Sequence, residues 1–176
     1  MKNLDWHEQF QKIHSKGIER YRSGARGAGE LFNQEEKKFL SEIGHTPQEL
    51  YDFCEDAVNY GEPDFSTALL VAAVRREYFL HVQKGIREKS LPTSTLPAKE
   101  AAVEGIVWLP RLMEKARRKL RGQMDADLMY GCGGDRRFFK EHDIHPADFL
   151  RVVWAAGSDD AKIITFVKNR GDLKSA

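Results

Sequence analysis

The sequence predicts an all-α fold, and three observations predict it. Apolar residues recur at spacings of three and four along most of the 176 residues, the signature of amphipathic helices. These stripes open on residues that cap helices and close on glycine. No segment alternates apolar and polar residues around a hairpin turn. The expected architecture is one compact helical domain over 1–176, with an N-terminal helical unit (1–89), a linker (90–97) and a C-terminal helical unit (98–176).

Trp6, Phe10, Ile13 and Tyr21 mark one face of a helix over about 5–22, which ends in the glycine-rich loop Ser23 to Gly29. Asn33 followed three residues later by Glu36 is a capping-box pattern. It opens a short helix that Gly44 ends. Thr46-Pro47-Gln48-Glu49 combines an N-cap, a proline at the first helical position and a glutamate at the third. The stripe Leu50, Phe53, Cys54, Ala57 and Val58 follows, and Gly61 stops it. Asp64 caps a long helix through Phe65, Leu69, Ala72, Ala73, Phe79 and Leu80 to near Gly85. The run at 90–97 holds Pro92 and Pro97 among hydroxyl residues, which sustains neither a helix nor a central strand. A helix over about 98–121 then places Val103, Ile106, Val107, Leu112, Met113, Ala116 and Leu120 on its apolar side, with a kink or break near Trp108-Leu109 because of Pro110. The loop Tyr130 to Gly134 leads to Asp135, the expected N-cap of a helix running to about His142. His145-Pro146 starts another, with Phe149, Leu150, Val153 and Ala156 inside. Ser158 is expected to cap the last, through Ile163, Ile164 and Val167.

Composition narrows the function. Lys and Arg number 28 against 27 Asp and Glu, a net charge of +1, so the chain is not a polycation built to coat nucleic acid or anionic membrane. No stretch approaches the roughly 18 apolar residues of a membrane span. The N-terminus turns amphipathic at once and has no apolar leader core, so no secretory signal is expected. Cys54 sits on an apolar stripe and Cys132 in a loop, which is no disulfide framework. The expected compartment is the cytoplasm.

Two stretches 99 residues apart look alike. Glu36-Lys37-Lys38-Phe39-Leu40 pairs with Asp135-Arg136-Arg137-Phe138-Phe139, Pro47 with Pro146, and Leu50 with Phe149. An internal duplication would make the fold a pseudo-twofold pair of helical units; chance similarity between two helical hairpins is the alternative.

The run Trp108-Leu109-Pro110-Arg111-Leu112-Met113-Glu114-Lys115-Ala116-Arg117, then Leu120-Arg121-Gly122, then Tyr130-Gly131-Cys132-Gly133-Gly134-Asp135-Arg136-Arg137-Phe138-Phe139 resembles the bacterial domain-of-unknown-function family 5069 over about 105–170. The resemblance implies a fold boundary and a recurring site in the C-terminal half. It transfers no reaction, because the family has no assigned activity. Residues 1–90 depart from it.

The charge pattern of that half is anomalous. Arg136 and Arg137 follow the expected N-cap, and cations in a first helical turn oppose the dipole by about 0.3–1 kcal/mol. One reading is an internal ion pair with Glu114, Asp125, Asp127, Glu141 or Asp148. The other is an anion pocket, in which Gly131, Gly133 and Gly134 let backbone N–H groups approach a phosphate or carboxylate. Cys132, near a helix N-terminus and arginines, is a candidate nucleophile or a packed loop residue. No paired-cysteine metal spacing accompanies His142 and His145, so no metal is expected. Arg111, Lys115, Arg117, Arg118, Lys119 and Arg121 make a basic helix, read as a solvated face with apolar stems. Trp6, Trp108 and Trp154 read as core.

The resulting expectation is a non-enzymatic binding or interaction module with an anion-receptive site at Tyr130, Cys132, Gly133, Asp135, Arg136, Arg137, Arg111 and Lys115. The alternative is an enzyme acting on a small anionic substrate with Cys132 as nucleophile or Asp135 as acid/base. A second alternative is weak nucleic-acid binding through 111–121, for which no recognised motif speaks. No cofactor is expected. A small anionic ligand and a second copy of the chain are the partners the sequence admits.

Overall fold

The computed structural model describes residues 4–169; Met1, Lys2 and Asn3 of the amphipathic N-terminal run lie outside them. The fold is predominantly helical, and the chain forms two units, 1–87 and 88–176.

The first unit comprises α1 (Trp6–Arg22), α2 (Ala28–Leu31), α3 (Gln34–Glu42), α4 (Pro47–Tyr60) and α5 (Phe65–Glu77). α1 packs on α4 and α5 through Phe10, Ile13, Leu50, Cys54 and Ala72, all buried, and Leu40 of α3 joins the same cluster. Both expected capping boxes form: Asn33 with Glu36 opens α3, and Thr46 with Glu49 opens α4. Gly17 in mid-helix would lower helix stability by roughly 1 kcal/mol relative to alanine. Its reason is packing, since a Cβ there would lie 2.7 Å from Cys54 Sγ. The long helix expected to run to Gly85 instead widens into a π-helical turn over Tyr78–Val82.

The second unit corrects the sequence reading at its start. Residues 98–107 are not helical. Ala102–Val103 (β1) and Ile106–Val107 (β2) pair antiparallel around Glu104 and Gly105, both at positive φ. A tight two-residue turn demands such angles. The strands are too short to show alternation, and their apolar residues also satisfy helical spacing. Trp108 closes the hairpin by donating its backbone N–H to Ala101 O at 3.0 Å. α6 (Leu109–Arg121) starts immediately after it. Pro110 therefore kinks nothing: it is the second helical residue, where a missing N–H is harmless.

The run expected as a linker is held down. Leu91 N–H donates to Gln123 O at 3.0 Å, and Arg118 reaches Pro92 O at 3.0 Å and Thr95 Oγ1 at 2.9 Å. α7 (Gly133–Glu141), α8 (Pro146–Ala156) and α9 (Asp160–Lys168) complete the unit, with α8 packed on α6 and α9. The expected caps shift in two places. Asp159, not Ser158, precedes α9, and Cys132, not Asp135, precedes α7. Asp135 is the third helical residue because its carboxylate turns inward.

Positions 99 residues apart take matched places in the two units. Asn33 and Cys132 are N-caps of α3 and α7; Thr46 and His145 are N-caps of α4 and α8, each followed by proline. The chain leaves α3 through His45 N–H to Leu40 O at 2.9 Å and leaves α7 through Ile144 N–H to Phe139 O at 2.9 Å. Gly44 and Asp143, one residue earlier, are both left-handed, at φ 79° and 52°.

His14 on α1 is buried, and its Nε2 has no hydrogen-bond partner among the described residues. Burial holds the imidazole below its ordinary 6.5. The unfolded chain then binds more protons, so stability of the first unit falls as pH drops below about 6.5, until the depressed folded value is passed. His14→Phe should flatten this acid-side slope in melting curves. An unchanged slope would mean that other groups set it.

Candidate functional site

The site is assembled from the inner face of α6 and the N-terminus of α7. Leu112, Ala116 and Lys119 share with Lys115 the buried stripe of α6, so Lys115 is carried inward by the apolar pattern around it. Its side chain is 2% exposed, and Asp135 is fully buried. Their ion pair is short and direct. Two further donors complete the carboxylate. Gly131 N–H reaches the same Oδ2 at 2.9 Å, and the Trp108 indole N–H reaches Oδ1 at 2.9 Å.

Backbone geometry makes those donors available. Gly131 sits at φ 89°, open to glycine, and turns the loop back over the carboxylate. Trp108 is left-handed at φ 73°, which is uncommon for a residue with a large side chain. Gly134 gives its indole room, since a Cβ at that position would lie 2.4 Å from Trp108 Cζ2. The expected role of Gly134 as space for an anion is therefore corrected: it is space for Trp108.

Cys132 stands at the edge of this cluster. Lys115 Nζ donates to its Sγ at 3.3 Å. The residue is half-buried and caps α7 with no side-chain hydrogen bond. The N-terminal amides of α7 are thus not satisfied from within the cap, and Gly133, the first helical residue, is exposed. Tyr130 lies behind, donating to Pro146 O at 2.8 Å. Burial, and then the nearby Asp135 charge, push its phenol well above its ordinary value, so it stays neutral.

Of the expected site residues, Tyr130, Cys132, Gly133, Asp135 and Lys115 fall together. Arg136 borders them, donating to Gly131 O at 2.8 Å. Arg137 is exposed one turn into α7. Arg111 turns away to Pro97 O at 2.7 Å. Asp135, the alternative acid/base, is fully buried and accepts from Lys115, Gly131 and Trp108. The basic helix is not a solvated face: Lys115, Arg118 and Lys119 are each 1–2% exposed. Arg118 pairs with Glu114 at 2.9 Å and Arg117 with Asp160. His145 Nδ1 accepts from Ala147 N–H at 3.2 Å, and the His142 ring lies 4.3 Å from that of Phe138, so both histidines have local roles. Among the described residues no group of three or more His, Cys, Asp or Glu could hold a metal ion, and no helix is long and apolar enough to cross a membrane.

Sequence reasoning missed Trp108 as a site residue. Its signal was the glycine at 134, whose neighbour in space could not be read from the chain. Asp135→Ala should leave the Lys115 ammonium buried and unpaired, at a cost of about 3–5 kcal/mol. The check is the denaturant midpoint of the C-terminal unit. Replacing both partners, Lys115→Met with Asp135→Leu, should recover only the part owed to the unpaired ammonium, because the Gly131 N–H and the Trp108 indole N–H still lose their acceptor. A midpoint within about 0.5 kcal/mol of the parent for Asp135→Ala alone would show that the pair holds nothing together.

No curated protein and no solved structure matches the chain. The C-terminal unit is recognisable: residues 93–176, which carry Trp108, Lys115, Cys132 and Asp135, match the family model described as a domain of unknown function, DUF5069.

Proposed function

We propose that the C-terminal unit receives a small anionic ligand at the N-terminus of α7 and that Cys132 is the reactive group that meets it. The observation that supports this is the Lys115 Nζ to Cys132 Sγ contact of 3.3 Å, backed by the Lys115–Asp135 ion pair. A nucleophile needs a partner group and a third group that orients the partner. Cys132, Lys115 and Asp135 stand in that order. The helix N-terminus and an ammonium donor both face the sulfur, the electrostatic setting in which a cysteine acts as a nucleophile. The α7 amides that the cap leaves open suit an anionic oxygen. Asp135 orients Lys115 and does not itself meet the ligand. A cytoplasmic setting, as the sequence leads one to expect, keeps such a thiol reduced.

We infer also that the first unit is a diverged copy of the second. The constant 99-residue spacing of caps, prolines and helix exits supports this. At the matching positions Lys16 lies 3.9 Å from Glu36 and is 57% exposed, and Asn33 stands where Cys132 stands in the other unit. The chemistry therefore belongs to the C-terminal unit alone.

Alkylation by paired reagents tests the functional reading. Iodoacetate is anionic and iodoacetamide neutral, with the same leaving group. Cys132 should favour iodoacetate several-fold relative to the same thiol in the unfolded chain, and inorganic phosphate should slow the reaction. Arg137→Ala should weaken the preference. Equal relative rates and no protection by phosphate would remove the anion-receptive site.

A further inference from the structure

We propose that Cys132 and Lys115 form a reversible covalent S–N bridge when the thiol is oxidised by a hydroperoxide. The grounds are geometric and do not depend on an anionic ligand. Nζ lies 3.3 Å from Sγ, while Lys115 is 1% exposed and held by Asp135. The amine is thus fixed beside the sulfur and sheltered from competing solvent. Cys132 is half-buried, so a molecule as small as hydrogen peroxide can reach it.

The steps balance. Sγ attacks one peroxide oxygen, the O–O bond breaks, and Cys132 becomes a sulfenic acid with release of water. The sulfur is oxidised by two electrons and the peroxide reduced by two. Lys115 then gives one proton to Asp135, with which it is already in contact, and its lone pair attacks Sγ. The S–O bond breaks, and the leaving hydroxide takes a second proton from nitrogen and departs as water. The product is an S–NH link, a protonated Asp135 and no remaining charge in the pair. A thiol reductant reverses it in two steps: one thiol attacks sulfur, the S–N bond breaks and the amine takes the proton, and a second thiol then reduces the mixed disulfide and frees Cys132.

The bridge would remove Cys132 from use while protecting it from irreversible oxidation. Ion pairing changes with it, since the buried salt bridge is replaced by a neutral acid that Gly131 and Trp108 still enclose. Cys54 supplies an internal contrast: it is fully buried, its Sγ donates to His14 O at 3.7 Å, and burial pushes its thiol up to about 12.

The experiment treats the full chain with hydrogen peroxide, digests it without reductant and reads the peptides by tandem mass spectrometry. The expected product is one peptide pair joined through Lys115 and Cys132, lighter than the sum of its parts by two hydrogens and lost on adding dithiothreitol. Lys115→Met should abolish it and leave Cys132 as sulfinic acid. Because that variant leaves Asp135 unpaired, Cys132→Ser serves as the second: serine is a good N-cap, so the fold holds and the bridge disappears. Recovery of wild-type Cys132 only as sulfenic or sulfinic acid, with Lys115 free, overturns the proposal.

Discussion

Two opposite charges are buried side by side where α6 meets α7, and much of the C-terminal unit follows from keeping them satisfied. Removing a carboxylate and an ammonium from water costs several kcal/mol each, and their mutual attraction offsets this only when the remaining lone pairs are bonded. Asp135 therefore needs its other two donors. Hydrogen bonds to a charged group contribute about 1.5–3 kcal/mol each, enough to decide the balance. One donor comes from the Gly131 backbone and the other from the Trp108 indole. The left-handed Trp108 costs on the order of 1–3 kcal/mol in strain, and the indole bond is what it obtains. The hairpin before it fixes where Trp108 stands, through its backbone bond to Ala101.

The same requirement explains why a strongly basic helix can lie in a core. Arg118 is as buried as Lys115, and it is satisfied by Glu114, by Thr95 and by the carbonyls of Leu91 and Pro92. A proline-interrupted segment suits this purpose, because carbonyls unused by regular structure are free to accept from a guanidinium. Thr93 adds bonds to Asp125 from its backbone at 3.2 Å. The segment from Leu91 to Thr95 is thus a strap held by Arg118 of α6.

How much of this was legible depended on whether the controlling partner was near in sequence. The caps at Asn33, Thr46 and Asp64 use donors three residues away, and the chain displays both partners together. The burial of Cys54 follows from its own stripe. The hairpin at 102–107 was not legible, because two-residue strands carry no period and their valines and isoleucine fit a helix equally well. Lys115 was among the expected site residues, but its burial was not legible for a related reason. Arg136 and Arg137 stand out by opposing the α7 dipole, but the buried cation is Lys115, twenty residues before its partner Asp135 and one of six cations on its own helix. Helical spacing did contain the clue, since Lys115 falls between Leu112 and Ala116 on the apolar side. A rule that long cations face solvent overrode it.

The contrast between the two units bears on the proposal that Cys132 is the reactive group. In the first, Glu36 at the third position of α3 accepts from the Asn33 N–H at 2.9 Å and from Arg20 at 2.6 Å, with Arg20 a third exposed. Burial works against that carboxylate's charge, but the Arg20 bond and the Asn33 N–H outweigh it and hold Glu36 below its ordinary range. Asn33 caps the helix with its own side chain, which leaves little for a ligand to complete. In the second unit the carboxylate is one methylene shorter and turns inward to a lysine. The capping residue offers sulfur in place of an amide, and it forms no cap bond. Stability alone would favour the first arrangement, because a satisfied cap contributes about 1 kcal/mol and a buried ion pair has no such margin. An arrangement that gives up its cap, encloses two charges and leaves a thiol beside an ammonium is the physical ground for proposing that Cys132 is reactive.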